Sequence, residues 1–133
     1  MNKTQAQALI GQRVSAWTAA NGIYTGELIE VLSRQGKPWR GRVRIDGVLE
    51  PACVFERGRT ARKGFRPGDE IEVGGTNIKL QVHAGGSYLD ALLRAERSTR
   101  EMMARRLDDR NLWAQQGTLD GLLAAIAVEQ DSQ

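Results

Sequence analysis

Apolar and polar residues alternate most regularly between positions 39 and 46. One side of this stretch carries Trp39, Gly41, Val43 and Ile45, and the other side carries Arg40, Arg42, Arg44 and Asp46. Successive side chains of a β-strand point to opposite faces of the sheet. The pattern therefore predicts a strand with one buried face and one arginine-rich face.

Other strands are predicted around this one, at 12–18, 23–32, 48–56, 69–73 and 77–83. Asn21-Gly22 is a strong hairpin signal between the first two. The apolar residues of 23–32 fit a helical turn as well as a strand, but the hairpin requires a strand there. Gly26 predicts a bulge. Gly47 predicts a turn, and Gly74-Gly75 predicts a second hairpin between 69–73 and 77–83.

Helical patterns lie at the two ends of the chain. Residues 4–10 predict a short helix that begins at Thr4. Ser87 and Asp90 resemble a capping box at the start of a C-terminal helix, after a linker at 84–86. Gly117 is expected to break this helix, and 118–129 to form a final short one.

These elements predict two parts, a small β-barrel domain at 1–83 and a helical extension at 84–133. The fold class is α+β, mainly β, with five or six antiparallel strands and a short N-terminal helix. The segments GQRVSAWT, NGIYTGELIEVL, WRGRVRID and RPGDEIEVGG resemble small SH3-like barrels of the Tudor and KOW kind. The resemblance covers roughly residues 11–82. It implies an SH3-like barrel that binds polymers or peptides, and it transfers no functional residue.

Charge is concentrated in one region of the chain. Residues 34–66 hold 10 basic and 3 acidic residues, a net charge of +7, although the whole chain is only +3. Ten positions of a predicted loop after the fourth strand supply five of these cations, Arg57, Arg59, Arg62, Lys63 and Arg66. Local basicity of this kind indicates a polyanionic partner.

The leading hypothesis is a non-enzymatic binding module for nucleic acid. The loop cations and the strand arginines Arg40, Arg42 and Arg44 would together follow a phosphate backbone, and Trp39 or Trp17 would stack on an exposed base. Two other interpretations stay open. The arginines form a solvated surface and pair with Glu50, Glu56, Glu70 or Glu72, or they bind an acidic protein.

The helical extension supports the alternative function, a protein-interaction or assembly subunit. Its apolar residues exceed what one small barrel covers, so the helices either pack on the barrel, associate with a second copy or dock to another protein. They form three groups: Leu89, Leu92 and Leu93; Met102, Met103 and Leu107; and Leu119, Leu122, Leu123 and Ile126.

Few residues suit catalysis. His83 is the single histidine and has no local acid or nucleophile, and Cys53 lies in an apolar segment. One cysteine leaves no internal disulfide and no cysteine-based zinc site. No phosphate-binding glycine motif or metal-ligand cluster is found. We therefore expect no catalytic residues, no cofactor and no metal, and we expect a cytoplasmic protein without a membrane segment.

Overall fold

The computed structural model describes residues 1–52, 54–55, 59–60, 64–105 and 109–131, with the backbone alone for 20, 54–55, 59–60 and 109–114. It confirms the α+β, mainly β class. Its helices are α1 (Lys3–Ala8), α2 (Tyr88–Arg105) and α3 (Asp109–Asp131), and its strands are β1 (Arg13–Trp17), β2 (Ile23–Leu32), β3 (Arg40–Glu50), β4 (Val54–Phe55), β5 (Arg59–Thr60), β6 (Glu70–Gly74) and β7 (Ile78–Leu80).

Five strands form one antiparallel sheet in the order β6–β3–β2–β1–β7, and β4 and β5 form a separate two-stranded ribbon. The predicted hairpin at Asn21-Gly22 is confirmed, because Trp17 lies opposite Ile23. The strand interpretation of 23–32 is also confirmed. The predicted bulge is present, since the β2–β3 register shifts between Thr25 and Gly26.

The second predicted hairpin is wrong. In the described sheet, β6 and β7 lie at opposite edges and do not pair. A 3-10 turn at Gly75–Asn77 carries the chain from one edge to the other. A side chain on Gly75 would collide with the indole of Trp39, so glycine is needed where this turn crosses the ring. Of the predicted apolar face, Ile78 is buried, whereas Leu80 and Val82 are exposed.

Gly47 does not form a turn. β3 continues through it to Glu50 and ends before Pro51, which has no amide hydrogen for the ladder. A side chain on Gly47 would collide with the backbone of Gly85. The adjacent Val48 amide donates to the Gly86 carbonyl over 2.8 Å. Gly85 and Gly86 therefore pack against β3, although the sequence predicts a linker at 84–86.

Two helix boundaries also differ from the predictions. α1 begins at Lys3, because Asn2, rather than Thr4, accepts the amide of Gln5 over 2.8 Å and completes a capping box. α3 runs through Gly117 without a break. A glycine in a helix costs only about 1 kcal/mol relative to alanine, and burial of Leu119 and Leu122 on its next turn favours the continuous helix. The predicted box at Ser87 and Asp90 is confirmed.

A single core joins the sheet and the helices. Its buried residues include Val14, Val43 and Ile45 from the sheet, and Leu92 and Leu122 from α2 and α3. The C-terminal helices thus pack on the sheet. In the part of the chain that the structure describes, no helix has the length and apolar content needed to cross a bilayer.

Candidate functional site

The predicted arginine face lies on the outer side of β3. Gly41, Val43 and Ile45 are buried, and the arginines between them point outward. In the antiparallel register, Arg42 lies opposite Glu30 of β2 and Glu72 of β6, and Arg44 lies opposite Glu27 and Glu70. Residues directly opposite in such a sheet share a face. The three arginines are therefore surrounded by four glutamates.

Each arginine of this face contacts a carboxylate. Arg40 Nε lies 2.7 Å from Glu72 Oε2, Arg42 Nη1 lies 2.8 Å from Glu30 Oε2, and Arg44 Nη1 lies 3.4 Å from Glu27 Oε2. The pairs are half-exposed, and such surface pairs contribute about 0.2–1 kcal/mol each. The face exists as predicted, but its positive charge is compensated by its own neighbours.

Most of the predicted basic loop lies outside the described residues. This applies to Arg57, Arg62 and Lys63, and of Arg59 only the backbone is described. Arg59 lies in β5, opposite Phe55 of β4, so this part of the stretch is a ribbon strand and not a loop. Whether these cations share a surface with the β3 arginines stays a prediction. Arg66 is the one loop cation whose side chain is described.

Residues 64–66, which follow the predicted loop, make close contacts with the rest of the fold. A side chain on Gly64 would collide with the Tyr88 ring. The Phe65 amide donates to the Tyr24 hydroxyl over 3.0 Å, and the two rings meet edge-to-face with centroids 5.3 Å apart. The Tyr24 hydroxyl in turn donates to the Asn21 carbonyl. Burial raises the pKa of Tyr24 to about 12.

Arg66 lies at a junction of the sheet, α2 and α3, which we call the Arg66 junction: Arg66, Tyr88 and Glu129. The guanidinium carbon of Arg66 lies 4.6 Å from the centre of the Tyr88 ring. Its two terminal nitrogens donate to the two carboxylate oxygens of Glu129, and the Nη2–Oε2 distance is 2.9 Å. A bidentate fork with an aromatic platform is a strong form of arginine recognition.

The junction changes the ionisation of two groups. The hydrogen bond that Arg66 donates to Glu129 raises the pKa of Arg66. Burial raises the pKa of the Tyr88 hydroxyl, which accepts the amide of Ala52 over 2.9 Å. The ring of Tyr88 therefore supports Arg66, and its hydroxyl holds the segment that follows β3.

The helical hairpin presents a second candidate surface. Along α3, Leu119, Leu122 and Ile126 are buried, but Leu123 is 40% exposed and Val128 is 66% exposed. A shallow groove of about 350 Å³ opens between α2 and α3 and is lined by Arg100, Met103, Gln116, Leu119 and Leu123. These residues combine an apolar floor with polar edges.

Of the two residues weighed for catalysis, one is described. His83 is exposed after β7, and Cys53 lies outside the described residues. Trp17 is exposed on β1, whereas Trp39 is half-buried against Gly75. Among the described residues, no three His, Cys, Asp or Glu side chains come close enough to hold a metal ion.

Sequence reasoning missed Tyr24, Tyr88 and Glu129. Tyr88 and Glu129 carry no local pattern that joins them to Arg66, which is 63 positions before Glu129. One signal was available. Glu129 is an acid near the C-terminal end of a helix, where the helix dipole disfavours negative charge. An acid at such a position indicates a compensating cation elsewhere in the fold.

Comparisons with known proteins support the fold only. No family model matches the chain, and no curated protein matches it. Among solved structures, the chain is similar to kinase-associated protein B from Bacillus cereus, with a TM-score of 0.59 and 18% identity. The match covers 92% of this chain and 96% of that chain. The protein therefore has an SH3-like fold with a helical extension.

Proposed function

We propose that the protein is a non-enzymatic protein-interaction module and that its helical hairpin is the interacting surface. The observation that carries the proposal is the composition of α3. From Leu119 to Val128 the helix has one charged residue, Asp120. A helix that is apolar on all sides is normally buried on all sides, yet only one side of α3 faces the core.

The exposed side of α3 is continuous. Leu123, Ala124, Ala127 and Val128 follow one another at helical spacing, and all are exposed. Met102 on α2 is 43% exposed. The groove between the two helices adds Met103, which is half-buried. A helix of a partner laid along this groove would cover these side chains.

A second copy of the chain is the partner that the charges favour. Residues 115–131 contain three acidic residues and no basic residue. α2 carries Arg97 and Arg105 on its solvated surface, whereas Arg100 already pairs with Glu96 of the same helix. Two hairpins related by a two-fold axis would place α3 of each copy against α2 of the other, so the arrangement closes. The name of the similar structure, kinase-associated protein B, is consistent with a protein-binding role in general.

The experiment is light scattering after size exclusion at high protein concentration. We expect the wild-type protein to be a dimer and the double variant Leu123→Glu, Val128→Glu to be a monomer. The control is Leu80→Glu, which introduces the same charge at an exposed apolar site on β7 and should stay dimeric. Substitutions are preferable to removal of the hairpin, because Leu92 and Leu122 belong to the common core. A monomeric wild-type protein would contradict self-association.

Nucleic-acid binding through the basic loop is the second candidate. It is favoured by the five cations within positions 57–66. The resemblance of the sequence to Tudor and KOW barrels is a second argument for it. The paired arginines of β3 support it less well. The test is fluorescence anisotropy with short single- and double-stranded oligonucleotides. Binding should weaken steeply with salt. The variant Arg59→Gln, Arg62→Gln, Lys63→Gln should bind more weakly and with a shallower salt dependence than an α2 control, Arg97→Gln, Arg105→Gln.

A further inference from the structure

Arg66 is held in place by contacts that do not involve Glu129. Its amide donates to Asp69 Oδ2 over 2.8 Å, the preceding amide donates to Tyr24, and Gly64 packs on the Tyr88 ring. The guanidinium lies on the same ring. The barrel and the first turn of α2 therefore fix the backbone of Arg66 and the Tyr88 ring beneath its guanidinium, and no anion is needed for this.

Glu129 is held much less firmly. It lies in the last turn of α3, two residues before Asp131, the end of the described helix. That turn has no basic residue, and Asp131 adds a second acid to it. Two carboxylates at a helix C-terminus oppose the helix dipole, and terminal turns fray easily. The contact with Arg66 is what holds this carboxylate, which is only 14% exposed, in place.

We propose that Arg66 and the Tyr88 ring form a recognition site for an oxyanion group of a partner, a phosphate or a carboxylate, and that Glu129 is an exchangeable internal ligand of this site. Both groups accept two parallel N–H donors from one guanidinium, as the Glu129 carboxylate does here. About half of the Arg66 side chain is open to solvent, so an incoming anion can approach it. The Asp69 carboxylate accepts the Arg66 amide.

Exchange of the ligand has a structural consequence. When a partner's anion occupies the guanidinium, the last turn of α3 loses its one ion pair among the described residues. This turn contains Val128, which belongs to the exposed side of α3. Anion binding at the Arg66 junction therefore loosens one end of the helical surface. The site does not depend on whether the hairpin self-associates.

The first test is NMR titration of the full chain at constant ionic strength, with Arg66 Nε–Hε and the Tyr88 ring as reporters. Inorganic phosphate and acetate are titrated separately, because they distinguish a phosphate from a carboxylate source. We take whichever of the two anions the wild-type protein binds more tightly. Glu129→Gln should bind that anion about tenfold more tightly than the wild type, since the substitution removes a charged bidentate competitor. The matched control is Asp131→Asn, which removes the same charge two residues away and should change the affinity less than twofold.

One further variant and one further measurement keep the result interpretable. Arg66→Lys in the Glu129→Gln background should lose the gain, because an ammonium provides neither the fork nor the stacking plane. Hydrogen exchange at 128–130 should accelerate in the wild-type protein when phosphate is added. Equal anion affinities for Glu129→Gln and Asp131→Asn would overturn the proposal, as would a gain that survives Arg66→Lys. Neither outcome bears on the oligomeric state, so failure here is separate from failure of the proposed interaction surface.

Discussion

Arginine is paired in two different ways in this protein. On the outer face of β3, each arginine contacts a glutamate of the neighbouring strand, and both partners are substantially exposed. At the Arg66 junction, the guanidinium lies on an aromatic ring and contacts a carboxylate that is mostly buried. The first arrangement lies on the surface of one sheet, whereas the second connects the sheet, α2 and α3. Charge alternation along a strand therefore indicates where arginines point, but not which of them matters to the fold.

The largest expected effect concerns the platform of the junction. Tyr88→Ala removes the ring under Arg66 and the surface against Gly64. We expect a loss of about 3–5 kcal/mol in the free energy of unfolding, as for other large aromatic side chains in a core. Urea denaturation measures it. Tyr88→Phe is the control and should cost only about 1–3 kcal/mol, because it leaves the Ala52 amide without its acceptor. Equal losses in the two variants would mean that the hydroxyl, and not the ring, supports the junction.

Alkaline pH should weaken the segment that enters the junction. The pKa of Tyr24 is about 12 in the folded protein against an ordinary value of 10.0. The folded state therefore keeps this proton to a higher pH than the unfolded chain. The stability from this group is fully present below about pH 10 and is lost as the pH rises through about 12, a decrease of about 2–3 kcal/mol. Urea unfolding from pH 9 to 12 measures it, and the fall should be smaller in Tyr24→Phe. An unchanged slope in that variant would assign the effect to another group.

The next effect compares the two kinds of arginine pair directly. A double-mutant cycle with Arg66→Ala and Glu129→Ala should give a coupling free energy of about 1–2 kcal/mol, because the carboxylate is shielded and the contact is bidentate. Thermal or urea unfolding of the four proteins measures it. A coupling near zero would place the junction in the same class as the β3 face.

The smallest expected effect is on the β3 face. The same cycle with Arg42→Ala and Glu30→Ala should give about 0.2–1 kcal/mol, because both side chains are open to water. The coupling should nearly vanish in 1 M NaCl, where charges are screened over about 3 Å. A coupling that resists salt would show that the face contributes more than its exposure suggests.

The alternation of apolar and polar residues, together with the residue types at the turns, was enough to predict much of the sheet. The inward face of β3 follows from strict alternation, and the β1–β2 hairpin follows from Asn21-Gly22. The bulge at Gly26 is also visible, because only glycine allows the backbone of Arg44 to come so close. The alternation and the hairpin depend on neighbours in the sequence, and the bulge is marked by the glycine itself, which is why local patterns reveal all three.

Features that depend on distant packing were mispredicted. Gly47 suggested a turn, Gly117 suggested a helix break, and Gly74-Gly75 suggested a hairpin, whereas the 3-10 turn there carries the chain to the opposite edge of the sheet. Gly47 instead admits the backbone of Gly85, Gly75 admits the ring of Trp39, and Gly117 stays helical because the next turn is buried. The candidate site shows the same limit. Arg66 was identified from the charge run, but Tyr88 and Glu129 became part of the site only through tertiary contacts.

The crossing at Gly75–Asn77 has a consequence for how the chain folds during synthesis. β1, β2 and β3 join residues near one another in sequence, but β7 pairs with β1, so that Ile78 lies opposite Ala16, 62 positions earlier. Closing so long a loop is entropically costly and slows folding. We therefore expect the free edge of β1 to stay unpaired on the ribosome until residue 80 has emerged. The nascent chain would then be most prone to aggregate just before its last strand arrives.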